Sequence, residues 1–327
     1  PCCEVERGEV MKKTWYLIIG VVLLVIGCIA YGYHEHHKPK TAQELKTVRV
    51  AYLPITHALP VFATKELETA DGPVHVELVK YGSWPELMDA LNTGKVDAAS
   101  VLVELGVKAR EQGIDVRAAA LGHTEGNIII VNKDINSVQD LKGKSFAIPH
   151  KQSTQKILVD RMLEQAGLSE KDVQIVEMSP PEMPSALSVG QIAGYSVAEP
   201  FGSLALEMGT GKVFEDPDHL WHDNICCALV FNGQFVDEHH DLAKAFTKAY
   251  LDAGTYLDEH PKAQEEISSK YMKFNDSVIE RSLKVIGFKD LALTEDRYNA
   301  LVHHMTHIDL IKKVPSYSEF VDTSLLP

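Results

Sequence analysis

The sequence predicts an α/β protein of two lobes, each an open sheet flanked by helices, with a ligand cleft between them and a helical C-terminal part. Three observations carry that expectation. Short apolar strands alternate with helices of ordinary length from residue 48 to about residue 215, and such alternation builds open, largely parallel sheets. The order runs through twice, and two long apolar strands, NIIIVN (127–132) and ICCALVF (225–231), bracket the second round. After Asn232 the pattern is almost wholly helical. A chain of 327 residues has the length for about two domains.

The elements follow in order. VRVAYL (48–53) is an apolar strand, followed by the proline-bounded loop PITHALP and the helical run VFATKEL. VHVELVKY (74–81) alternates as a strand should. Ser83 caps the helix WPELMDALNTG, with Pro85 in its first turn and Gly94 at its end. VDAASV is a short buried strand, VELGVKAREQG a helix and VRAAALG a strand. In the second round NIIIVN and SFAIP are strands around a short helix, SVQDLK. His150, Lys151, Gln152, Ser153 and Thr154 then open the helix QKILVDRMLEQAG. VQIVEM is a strand, SPPEMP leads into a helix, GYSVAEPF is strand and loop, and GKVFED is a strand. The later helices have no strands of their own to cover, so they must decorate the sheets already built. The expected division is lobe 1 over 48–127 plus 230–327 and lobe 2 over 128–229. Hinge strands are expected near 127–132 and 225–231, and bending a few residues there closes the cleft.

The N-terminus reads as an export signal. Residues 1–10 precede Met11 and are excluded from fold reasoning. Lys12 and Lys13 come before the apolar run WYLIIGVVLLVIG, which ends at Gly27-Cys28 in a lipobox-like pattern. Residues 1–28 are therefore expected to be a leader and lipoprotein signal with Cys28 lipidated, the alternative being an uncleaved membrane anchor. Residues 29–47, with HEHHKPKTAQ, suit a tether, its His34, His36 and His37 being solvated rather than metal-binding. The protein is expected outside the cytoplasm, on the outer face of the membrane or in a periplasm. Its net charge of −14 without a Lys/Arg cluster argues against nucleic acid and against anionic lipid surfaces as partners.

From VAYLPITHALPVFATKEL through GNIIIVNKDINSVQDLKGKSFAIP, SPPEMPSALSVGQIAGYSVAEPF and ICCALVFNGQFVDEHHDLAKAFTKAYLDAG, the chain resembles the extracytoplasmic solute-binding proteins of ABC importers. The likeness is to the nitrate, bicarbonate, sulfonate, taurine and pyrimidine-precursor branch, and it covers about residues 48–272. It implies a periplasmic-binding-protein type II fold, no catalysis and no cofactor. It also implies capture of a small polar solute, an anion or small heterocycle, for a permease and its ATPase by a monomer. Pyrimidine-precursor synthases share the fold and would be the enzymatic alternative, but they lack an export signal.

Site expectations follow from position. Thr56 and His57 follow the first strand, at the carboxyl end where ligands of open sheets sit. Ser83 at a helix start offers free N–H groups, and Trp84 is a wall or a packing residue. Ser100 ends VDAAS. His150, Lys151, Ser153 and Thr154 form the strongest anion candidate, combining charge, hydroxyls and a helix N-terminus. Tyr195 and Glu199 correspond to pocket residues of the resembled family. A carboxylate at Glu199 favours a cation and disfavours nitrate, and the lack of arginine in these loops disfavours sulfonates. A receptor for a metal ion, using His57, His150 and Glu199, is the other reading. No metal site is otherwise expected: His303, His304 and His307 lie on a helix with no accompanying carboxylate motif, and no GxSxG, P-loop or GxGxxG occurs. Cys226 and Cys227 are expected to pack inside a strand, where neighbours face opposite sides and cannot both face one ion without distortion; a strained disulfide between them and contact with the ligand are the other readings.

Overall fold

In the computed structural model the described residues are 46–327, together with 23–25 and 27. The expected signal, lipidation site Cys28 and histidine-bearing tether lie outside them, and the folded unit discussed below starts at Lys46. Among the described residues no helix is long and apolar enough to cross a membrane.

The first round builds β1 (Thr47–Tyr52), β2 (His75–Lys80), β3 (Ala98–Leu102) and β4 (Val116–Leu121). Between them lie the helices Leu59–Leu67, Trp84–Asn92 and Val103–Glu111. The chain then passes a two-residue strand, β5 (Thr124–Glu125), and enters the second sheet as β6 (Asn127–Asn132). There β7 (Ser145–Ile148), β8 (Gln174–Glu177), β9 (Gly194–Ala198) and β10 (Gly211–Glu215) follow, and the chain returns as β11 (Cys227–Asn232). The helices expected after Asn232 form, with short helices added at Gly233–Glu238 and Tyr317–Phe320, and the one read through SVIERSLKVIG stops at Leu283. Ile286–Gly287, β12, pairs antiparallel with β5 and straps the first crossing. A two-residue strand has no periodicity to betray it.

The sheets run β2-β1-β3-β11-β4 and β10-β6-β9-β7-β8. In each, the strand that arrives from the other sheet is antiparallel to its neighbours: β11 against β3 and β4, and β6 against β9 and β10. β11 therefore begins where β3 and β4 end, with Cys227 opposite Leu102. The carboxyl ends of both sheets face the crossings, the position where open α/β sheets hold ligands.

The crossings differ from the expected hinge strands. β6 and β11 belong wholly to their sheets, and the connections are 122–126 and 216–226. Apolar content alone cannot distinguish a buried central strand from an interlobe connection, and β11, buried at all six positions, is a core strand.

Phe231 sits in β11 against Phe246 and Phe235, fully buried. Phe231→Ala leaves a cavity under the central strand and is expected to cost about 3–5 kcal/mol, read from urea unfolding. A loss below about 1 kcal/mol would contradict the packing described.

Candidate metal centre

Four side chains from three segments converge where the crossings meet the ends of the first sheet. His57 lies in a single helical turn, Thr56–Ala58, just after β1. His123 lies between β4 and β5, and Cys226 and Cys227 lie at the junction of the return crossing with β11. All four are buried, and one donor atom from each falls within 4.8 Å of the others.

The two imidazoles are held by the same short stretch of backbone. His57 Nε2 lies 2.9 Å from the carbonyl of Gly126, and His123 Nδ1 lies 2.7 Å from that of Glu125. A carbonyl only accepts, so each of these nitrogens carries the hydrogen. The opposite nitrogens, Nδ1 of His57 and Nε2 of His123, therefore present lone pairs. The first is 3.5 Å from Cys227 Sγ, and the second faces the Cys227 backbone N–H at 3.3 Å. The rings lie against each other at 3.5 Å between centroids. Hydrogen-bonding one imidazole nitrogen to a carbonyl is the usual way a protein fixes a histidine ligand.

The two sulfurs are 3.9 Å apart. Strand alternation was expected to separate them. Regular β11 starts only at Cys227, so Cys226 belongs to the crossing and turns its sulfur to the same side. Tetrahedral zinc, with Zn–S about 2.3 Å and Zn–N about 2.0–2.1 Å, has S···S edges of about 3.8 Å and S···N edges of about 3.5 Å. The two edges seen here, 3.9 Å and 3.5 Å, match them. Two thiolates and two neutral imidazoles also neutralise a divalent ion, which suits a site closed to water.

The electrostatics favour that donor set. Burial, then the neighbouring His57, lowers His123 to about 4, so it is neutral at physiological pH. Burial raises the Cys226 thiol, but the hydrogen bond with Cys227 and the two imidazoles outweigh it and leave it well below its ordinary value. Cys227 moves the other way, raised by burial and by its partner sulfur. Cys226 is thus the sulfur readier to ionise, and Cys227 the one that holds its proton more tightly.

The other expected residues are placed as follows. Thr56 donates from both N–H and hydroxyl to the Glu199 carbonyl at 3.0 Å, tying the first sheet's loop to the second's. Glu199 turns its carboxylate to Ser203, accepting from its N–H and hydroxyl, with burial raising its pKa. Thr154 gives its hydroxyl to Glu104 and Ile225, joining the second lobe to the crossing beside Cys226. Ser153 caps its helix through Lys156 N, and Lys151 is exposed. Trp84 and His150 line a separate cavity of about 150 Å³ with Met88 and Gln152, and Ser83, half-buried, precedes Trp84. Ser100 and Tyr195 lie inside strands, Tyr195 donating to the Phe201 carbonyl. The alternative set of His57, His150 and Glu199 is not gathered in one place. His123 and Gln155 were not singled out from the sequence. The available signal was a histidine in LGHTEG at one crossing and a cysteine pair at the other.

A two-sheet binding fold with a closed, ligand-sized donor set at the strand ends defines a solute receptor. The chain belongs to the NMT1-like family, matching it over residues 41–271. It is 35% identical to a solved ligand-binding component of an ABC-type import system from Staphylococcus aureus, which has zinc bound. That match covers 86% of this chain and 97% of that one, with a TM-score of 0.82. It is 29% identical over 285 residues to the putative aliphatic sulfonates-binding protein of Bacillus subtilis, 84% of this chain and 82% of that protein. The periplasmic nitrate-binding protein of Synechocystis shares the fold, at 18% identity over 87% of this chain and 88% of that one, with a TM-score of 0.77. The chain spans only 36% of a nitrate import ATP-binding protein of Synechocystis that it also matches. It is a solute-binding protein of the ABC-importer kind and not an enzyme.

Gly126 supplies the carbonyl for His57 from a backbone with φ +81°, and a Cβ there would come within 3.0 Å of His57 Nε2 and 2.8 Å of Ile286. Gly126→Ala is therefore expected to lose about 1–3 kcal/mol of stability and to displace the His57 ring. Urea unfolding and the His57 imidazole resonances by NMR would check it; an unchanged ring environment would refute the assigned role.

Proposed function

We propose that this protein captures a divalent metal ion, zinc foremost, for an ABC importer. It would hold the ion through His57, His123, Cys226 and Cys227, stand outside the cytoplasm on a lipid at Cys28, and hand its cargo to a permease as a monomer. The observation that carries the reading is the donor set itself: two sulfurs and two imidazole lone pairs turned inward with tetrahedral edge lengths. The zinc in the Staphylococcus aureus relative supports it.

The oxyanion alternative has weaker support. The helix start expected to hold an anion has its hydroxyls engaged within the protein, Ser153 as cap and Thr154 on Glu104 and Ile225. Glu104 lies buried beside that start, its carboxyl pushed up by burial and by Cys226.

The test is uptake by chelator-stripped protein, followed by competition with a chromophoric chelator. One zinc per chain is expected. Cys227→Ser or His57→Ala should weaken it by more than about 100-fold, beyond the loss typical of outer-shell partners. Stabilisation by nitrate, taurine or an alkanesulfonate with no retention of metal would overturn the proposal.

Binding should also depend on pH with a defined sign. Cys227 keeps its proton at neutral pH because its thiol is raised, so zinc displaces a proton and affinity rises with pH, by up to about tenfold per unit. His123, lowered to about 4, adds nothing to that slope above about pH 5. Calorimetry in buffers of different ionisation enthalpy reads the released proton; no release at pH 7 would contradict the assignment.

A further inference from the structure

We infer that Gln155 is a positioning residue for the Cys226 sulfur, aimed by a relay of buried amides that starts at a backbone carbonyl. The inference rests on the metal-capture reading above and adds to it the group that tunes one of the two sulfurs.

The relay begins on the return crossing. The carbonyl of Trp221 accepts from Asn224 Nδ2 at 3.2 Å, which fixes the orientation of that amide. Asn224 Oδ1 therefore faces Asn127 Nδ2, at 3.1 Å. Asn127 Oδ1, turned the other way, accepts from Gln155 Nε2 at 2.6 Å. The nitrogen of Gln155 is thus the end that points to the site, and its second hydrogen reaches Cys226 Sγ at 3.4 Å. Turning the Gln155 amide over would set its oxygen against Asn127 Oδ1 and the sulfur, acceptor against acceptors. All three amides are buried, so no solvent competes for their hydrogens. The relay joins the return crossing, the start of β6 and the first turn of the helix Thr154–Gln165.

An N–H donated to a thiolate stabilises its negative charge and draws electron density from the metal–sulfur bond. Gln155 thereby makes the two sulfurs unequal: Cys226 has an amide donor from the second lobe, and Cys227 has His57 beside it. The helix start that reads in the sequence as a site for an external anion meets, in the fold, a sulfur of its own chain.

The experiment compares the protein with Gln155→Met, which keeps the side chain's length and removes the donor, using cobalt(II) and zinc(II) as probes. Cobalt affinity is expected to fall about 10–100-fold, and the thiolate-to-cobalt charge-transfer band to move to lower energy. Loss of packing alone would weaken binding without moving the band. Asn224→Leu, two amides away from the sulfur, should shift the band in the same direction by less, and it answers the question if Gln155→Met melts early. If the unsubstituted protein binds cobalt and zinc while both variants match it in affinity and band position, this inference fails and the capture reading stands. If the unsubstituted protein takes up neither metal, both fail.

Discussion

The structure turns on two hydrogen bonds to adjacent carbonyls, Glu125 and Gly126, in the first crossing. They hold two imidazoles from different segments in complementary tautomers, so both unprotonated nitrogens face Cys227, that of His57 its sulfur and that of His123 its backbone N–H. Without them each ring could turn over and present an N–H to the sulfurs instead. The demand on the backbone is specific. Gly126 adopts a left-handed φ, Glu125 does so at φ 59°, and β12 straps this turn from outside. The C-terminal helices, which in the sequence look like decoration, carry that strap.

Burying polar groups at this density is costly unless each is matched. The centre meets much of the cost by pairing donors with acceptors: carbonyls for the imidazole N–H groups, and an amide N–H for one sulfur, although the oxygen of that Gln155 amide has no partner. What stays unmatched is informative. Glu104 Oε2 and Tyr250 Oη are buried without a partner. Tyr250 is pushed upward in pKa by burial and by Cys227, and Glu104 by burial and by Cys226. Both shifts run towards the uncharged form, which leaves the sulfurs as the main charge-bearing groups of the pocket. A divalent cation that displaces the remaining thiol proton would balance the two thiolates, whereas an anion would add to their negative charge.

The fold was readable from the sequence because it depends on quantities the sequence carries directly: period, strand length and helix caps. NIIIVN forms β6 over its whole length, and Ser153 caps its helix. The centre depends on where side chains point at strand ends, and there the period stops being a guide. Alternation was applied to Cys226 and Cys227 as though both were in the strand, yet the first lies one residue before it. His57 was identifiable because it follows a strand's carboxyl end directly. His123 does the same after β4, but with no prolines around it to draw attention. The segment HKQST shows a subtler limit: its hydroxyls are visible in the sequence, but only the packing of the second lobe reveals that the protein's own atoms meet them.

Two of the four donors, His123 and Cys226, lie on the crossings themselves, and Cys227 is the first residue of β11 where the return crossing ends. In a cleft whose walls hold the ligand, closure is driven by contacts made after the walls approach. Here the ion would join the outgoing and returning connections directly, so occupancy and the angle between the sheets become one coordinate. The side-chain bridges from the second lobe, Thr154 to Ile225 and Gln155 to Cys226, engage the same few residues. Opening the lobes would strain both bridges, so the residues that hold the Cys226 sulfur also oppose separation of the two sheets.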